Sequence, residues 1–280
     1  ISYRLSKLNF YRDREFSIKG HAKVLTDFSD FLLETSGEAL NPAGVSPFSL
    51  TVSRRASRYS GSFNLNLVDL NLLIPWKNNA GSMRLLGQIY SDGAGGVHNR
   101  GVAIFSGKTL SLPNFSHSLD NFQGTVTFID KSFILQSLHG EMGGGTVEGN
   151  GSLDLGPGGL RSMTFGLQGK NLRLYPMDRT ACLVNPDLTL KYQQKKLLLS
   201  GTLAFQSVDW QREIDERIIF STRSELSTAE SKIREMLQLD IALNSENILM
   251  QNSLGRIRGR FKLRLTGTAS FPILRGTCEG

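Results

Sequence analysis

The chain has little of what builds a metal centre, a hydrolytic site or a membrane span. Two cysteines stand in 280 residues, Cys182 and Cys278, nearly a hundred residues apart. With no Cys-x-x-Cys and no His/Cys cluster, the sequence offers no zinc site. A disulfide between the two is allowed but not required, so they do not report a redox compartment. The four histidines, His21, His98, His117 and His139, are scattered, with neither an HExxH nor a paired spacing for a metal or a triad. Carboxylate pairs such as Asp27/Asp30 and Asp215/Glu216 fall in loop-like or helical stretches, a poor setting for general acid–base work. No catalysis is expected, and no cofactor. No long apolar run exists, which excludes a membrane-spanning helix in this stretch. Charged residues make up 20% and hydrophobic ones 39%, a balance that is neither disordered nor membranous.

Glycine, by contrast, is abundant at 29 residues. The clusters at 93–96, 143–145 and 156–159 are not followed by a helix or by Gly-Lys-Ser/Thr, so they read as turns and not as phosphate loops. Between the turns run short segments that alternate apolar and polar residues. The sharpest is 256–265, where Arg256, Arg258, Arg260, Lys262 and Arg264 alternate with Ile257, Gly259, Phe261, Leu263 and Leu265. Period-2 alternation makes this a strand with one cationic and one apolar face. A turn near Gly267 and a further strand at 271–276 follow. The formal charge of +7 is compatible with nucleic acid or anionic lipid. Yet the basic residues are spread along strands without the interleaved aromatics of a base-stacking platform, so no nucleic-acid partner is expected.

Further strands are predicted at 2–10, 16–25 (broken at Gly20), 47–54, 60–70, 83–87, 124–129, 132–138, 146–155, 165–167, 188–192, 197–205, 237–243 and 247–250. Segments 102–105 and 109–112 read as a hairpin around Gly107-Lys108. Two places break the pattern. Asp27–Asp30 followed by Phe31-Leu32-Leu33 reads as a capped short helix. Residues 210–235 read as an inserted loop or short helix, with Ser227-x-x-Glu230 in capping-box spacing. The motif Leu-x-Leu-x-Gly-Thr recurs at 197 and 263, too far apart for a propeller blade. The expected architecture is all-β. Some fifteen to eighteen strands, at about 4.8 Å spacing, would form one elongated curled antiparallel sheet, a taco or open barrel with a hydrophobic groove. The residues expected to line that groove are Phe63, Leu65, Leu67, Val126, Phe128, Val147, Leu153, Leu197, Leu199, Leu203, Leu239, Ile241, Phe261, Leu263 and Leu265. Glycines among them, such as Gly149, Gly151, Gly201 and Gly259, would permit tight curvature.

Three blocks carry a family resemblance. Leu263-x-Leu-x-Gly-Thr-x-x-x-Pro272-x-Leu274-x-Gly276 resembles the C-terminal signature of the translocation and assembly module TamB family. The stretch 124–155, with Leu138-x-Gly140 and Gly143-Gly-Gly-Thr-Val-x-x-x-Gly151-x-Leu153, is similar to it, as is 239–252. The resemblance covers residues 60–280, with 1–59 alike only in style, and implies one continuous β-groove domain over 1–280. It implies kinship with AsmA-like and bridge-like lipid-transfer proteins. It also implies an inner-membrane-anchored protein crossing the periplasm, its anchor outside this stretch, which then reads as an internal piece of a longer chain. The implied function is phospholipid movement to the outer membrane, with acyl chains in the groove and an outer-membrane barrel partner of the TamA type. A scaffold for outer-membrane protein assembly and secretion is the alternative it implies. The 210–235 insertion and Cys278 depart from the family pattern.

Overall fold

In the computed structural model the chain is all-β, as the alternation predicts. The structure describes residues 2–9, 15–26, 30–41, 44–55, 58–68, 70, 79–92, 94, 96–111, 117–177, 180–210, 234–252 and 255–280. Its strands are β1 (Ser2–Asn9), β2 (Glu15–Thr26), β3 (Phe31–Asn41), β4 (Gly44–Arg55), β5 (Arg58–Leu67), β6 (Ala80–Ser91), β7 (Val97–Ser111), β8 (Ser118–Ile129) and β9 (Ser132–Met142). There follow β10 (Gly145–Gly156), β11 (Gly159–Lys170), β12 (Leu172–Met177), β13 (Thr180–Gln193), β14 (Lys196–Trp210), β15 (Leu237–Asn252), β16 (Gly255–Thr268) and β17 (Pro272–Glu279). They gather into two units, Ile1–Leu138 and His139–Gly280.

In the first unit β1 to β8 form a meander, each strand antiparallel to the next. The register aligns apolar residues into rows that run across the strands. Phe48, Leu65, Leu85, Ala103 and Val126 make one row, and Leu50, Phe63, Gly87, Gly101 and Phe128 the next. A third holds Leu67, Met83, Phe105 and Gly124. The glycines do more than permit bending. A Cβ on Gly87 would lie 2.2 Å from Cζ of Phe63, on Gly101 2.4 Å from Cζ of Phe128, and on Gly124 2.3 Å from Cζ of Phe105. Each phenyl ring therefore lies flat over a glycine of the neighbouring strand. Phe63 and Phe128, flanking the Gly87/Gly101 pair, bring their rings to 6.3 Å at 17°.

Three local expectations give way here. The predicted helix at 31–33 is the start of β3, which pairs with β2 on one edge and β4 on the other. Two complete ladders outweigh a weak local signal; the cap residues Asp27–Ser29 lie outside the described residues. Gly20 does not break β2, because it sits opposite Gly37. A Cβ at Gly37 would fall 2.2 Å from the carbonyl oxygen of Lys19, so the glycine serves close backbone approach. The hairpin predicted at Gly107-Lys108 is instead continuous β7. Gly107 leaves room for the ring of Phe122, whose Cζ would be 2.6 Å from an added Cβ.

In the second unit β13 is the long central strand. One edge pairs with β12 through Thr180–Val184 and with β11 through Asp187–Gln193, so β11 and β12 lie in line. They are parted at Asn171, whose φ is 57°. The other edge of β13 pairs with β14, and β15, β16 and β17 follow. Among these, β14 and β15 are parallel, from Leu197↔Leu237 to Trp210↔Met250. A parallel neighbour needs a crossover. The segment read as an insertion is that crossover. Residues 211–236 must lead from Trp210 back to the level of Leu197, roughly 43 Å at about 3.3 Å per residue. Residues 234–236 form a helical turn entering β15, and 211–233 lie outside the described residues. The predicted strands at 237–243 and 247–250 are one strand with a bulge between Ser245 and Ile248. Ser245 clamps it, its Oγ accepting from the Asn247 N–H at 3.2 Å and donating to the Asn247 carbonyl at 3.3 Å.

The flat-ring packing is tested by alanine at two glycines. Gly101→Ala meets the Leu86 carbonyl oxygen at 2.2 Å as well as the Phe128 ring, whereas the three atoms nearest a Cβ at Gly87 all belong to the movable Phe63 ring. Gly101→Ala is expected to destabilise by about 1–3 kcal/mol and Gly87→Ala by less, read from urea midpoints. Equal midpoints for both variants and wild type would refute it.

Candidate functional site

The residues expected to line a groove fall on one face in each unit, and none of their side chains is exposed. In the first unit Leu65 shares a row with Val126, Phe63 with Phe128, and Leu67 stands in the adjacent row. In the second, Leu199 lies beside Leu239 and Ile241 beside Leu265, while Leu203 and Leu263 flank Leu243. Leu153 and Leu197 belong to a row completed by Met163 and Tyr192. Phe261 sits in a row with Val184, Phe205 and Ser245, its ring 5.7 Å from that of Phe205. Pairing thus extends the apolar face to Leu167, Leu188, Leu190 and Leu243, whose strand parity was visible but whose partners were not.

Burial divides the set. Leu67, Phe128, Ile241 and Phe261 are buried, while Phe63, Leu65, Val126, Leu153, Leu197, Leu199, Leu203, Leu239, Leu263 and Leu265 are half-buried. Val147 stands apart. At 2% exposure, like Leu172 and Val184, it is sealed into a local core and presents nothing to a ligand. Ile257, on the apolar side of the 256–265 strand by parity, is 59% exposed. It lies toward the start of β16, where neighbouring side chains leave it in solvent.

On β16 the opposite face is cationic. Arg256, Arg258, Arg260, Lys262 and Arg264 are all exposed. Arg264 donates from Nε to Asp240 Oδ1 at 2.7 Å and from a terminal nitrogen to Oδ2 at 2.9 Å. The guanidinium holds the Asp240 carboxyl below the usual carboxylate range. Arg260 pairs with Glu279 of β17. The two cysteines are both free. Strands β14, β15 and β16 lie between them, about four spacings or roughly 19 Å, well beyond disulfide reach. Burial pushes the Cys182 thiol up.

No family model, curated protein or solved structure matches the chain. Among the described residues no helix is long and apolar enough to cross a membrane, and no three His, Cys, Asp or Glu side chains are placed to hold a metal ion. Asp215 and Glu216 lie outside the described residues. Gly143, Gly144 and Gly158 sit at turns. At 92–96 the Asp92 carboxylate itself accepts from the N–H groups of Ala94 (2.9 Å) and Gly96 (2.7 Å), so that backbone cradle is already filled.

One polar cluster went unread in the sequence. His98 places Nδ1 2.9 Å from Asp130 Oδ2 and Nε2 3.1 Å from Asp92 Oδ2. Its ring stacks on Tyr90 at 5.5 Å. Asp130 Oδ1 also accepts from the Asn99 N–H. Carboxylates at both nitrogens make the imidazolium the favoured form. Bonding to Asp130, then to Asp92, raises the His98 pKa, and the same bonds lower both carboxyls. With both nitrogens engaged, neither is left to take a proton from a nucleophile, so the cluster is a clamp between two turns. The only signal was the Asp92-x-x-x-x-x-His98 spacing, and its second carboxylate lies a strand away.

The clamp has a definite pH signature. Because the folded pKa of His98 is raised above the ordinary value of about 6.5, its stabilisation is fully present below that value and is lost as pH rises through the folded pKa. The two carboxylates contribute above their ordinary pKa and lose that contribution as pH falls through their lowered values. An NMR titration of the His98 ring is expected to show a midpoint above 6.5 that returns toward it in Asp130→Asn. A wild-type midpoint at or below the ordinary value would dismiss the clamp.

Proposed function

We propose that this chain is a non-enzymatic lipid-carrying segment whose apolar face takes acyl chains while headgroups stay toward water. The observation that carries the reading is the set of cross-strand rows, such as Leu190–Leu199–Leu239 and Leu203–Leu243–Leu263, that remain half-buried. A face of this kind is costly in water and is satisfied by an apolar occupant. Each methylene moved from water onto it contributes about 0.8 kcal/mol, and no bond need be made or broken. Together with the resemblance to the TamB family, this supports a phospholipid conduit in the periplasm between inner and outer membranes, working with an outer-membrane barrel protein.

The test replaces Leu199 and Leu263, both half-buried, with Asp. Co-purifying phospholipid, measured by mass spectrometry, is expected to fall several-fold while the β-type circular dichroism persists. A delipidated wild-type protein with no affinity for lipid would sink the proposal.

One observation favours a second reading, a scaffold for outer-membrane protein assembly and secretion. All eight residues of β17 are exposed, and among the described strands it pairs only with β16. Such an edge can accept a client strand by β-augmentation. A photo-crosslinker at Arg275 would then capture client strands equally well in wild type and in Leu199→Asp. Capture that vanishes with the groove charge would instead assign those contacts to the lipid reading.

A further inference from the structure

The tip of the β4–β5 hairpin concentrates positive charge. Arg54, Arg55 and Arg58 stand within one turn of chain, and Arg55 faces Arg58 directly in the register. Like charges opposed across a strand pair are destabilising. Both are exposed, and among the described residues neither forms an ion pair. Arg54 points to the other face, its guanidinium 5.5 Å above the Tyr59 ring, which meets Phe31 edge-on at 6.3 Å. The apolar face therefore ends in a cation.

Inward from the Arg55/Arg58 pair the next row on the same face is Leu25, Leu32, Ser53, Ser60 and Tyr90. The two serine hydroxyls are hydrogen-bonded at 2.8 Å. Tyr90 is held by Arg100 at 5.6 Å and by the His98 ring. These side chains, with Arg55 and Arg58, line a cavity of about 910 Å³ whose one carboxylate, among the described residues, is Asp30. A bare phosphate would leave most of that volume empty, whereas it lies in the range that takes a drug-sized organic ligand. Leu25 is 51% exposed beside the arginines, so the walls offer an aliphatic patch next to a charge-assisted phosphate fork.

We propose that this cavity binds the headgroup phosphate of an anionic phospholipid. Arg55 and Arg58 clamp the phosphate oxygens, which neutralises their repulsion, and Leu25 and Leu32 pack the first carbons behind it. The site lies on the face opposite the apolar rows, so it goes beyond the lipid-carrying reading as a second, separate contact with lipid. It is tested by calorimetric binding of soluble dihexanoyl-phosphatidylglycerol, dihexanoyl-phosphatidylcholine and inorganic phosphate to the whole chain, wild type and Arg55→Gln/Arg58→Gln. The wild type is expected to prefer phosphatidylglycerol by about ten-fold, the scale of one charge-assisted contact pair. The double variant is expected to lose that preference through weaker phosphatidylglycerol binding. Phosphatidylcholine binding changes little, because its choline cation is repelled by the same guanidinium groups that hold its phosphate. An unchanged circular dichroism spectrum certifies the fold. A preference retained in the variant, a parallel loss of both lipids, or inorganic phosphate binding as tightly as phosphatidylglycerol overturns the headgroup site and leaves the conduit standing. No binding of either lipid by the wild type overturns both.

Discussion

The constraint on which the rest depends is cross-strand register. A strand with period-2 alternation has an apolar side, but that side is useful only if neighbouring strands align theirs with it, since a slip of one residue turns every side chain over. Here the alignment holds across β4 to β8 and again across β10 to β17. Where a ladder must change step, an extra residue is absorbed in place. Gln206 is the added residue in β14 and lies beside the Ser245-clamped bulge of β15. Its amide donates to Asn171, whose own N–H donates to Asn185. A line of amide side chains thus stitches the step across β12, β13 and β14, so the apolar faces on either side of it stay in phase.

Glycine and phenylalanine form the second device. A bulky ring standing upright on a sheet would demand a partner layer. Laid flat over Gly87, Gly101 or Gly124, it covers the neighbouring backbone and leaves a lower, smoother surface. That explains why glycines occur at apolar positions of the alternation.

Much of the fold was legible because each strand's alternation is a local property. The boundaries of β10 and β16 follow from it to within a few residues, while of β13 and β14 only 188–192 and 197–205 were legible. The hairpins they imply turn at Asp130 and at Gln194-Lys195, whose φ angles are 52°, 51° and 61°. The failures share one cause. At Phe31, Gly20 and Gly107 local signals for a helix, a break and a turn were overruled by ladders on both edges. The candidate lining residues were legible by parity. Their degree of burial was not, since the sealing of Val147 and the exposure of Ile257 depend on which strands flank them. The His98 clamp joins residues 92, 98 and 130, a spacing with no local pattern.

The sequence by itself determined that the chain is all-β, that its strands carry one apolar side, and that the five basic residues of 256–264 face water. These are consequences of composition and of a two-residue period, which act within a single strand. Only the tertiary structure decided that β14 and β15 run parallel, that β12 continues β11, that glycines serve as floors for phenyl rings, and that Arg55 meets Arg58 beneath a cavity. Each of these depends on which strands are neighbours and in what register. Pairing free energy is collected between segments far apart in the chain, and no single strand encodes it.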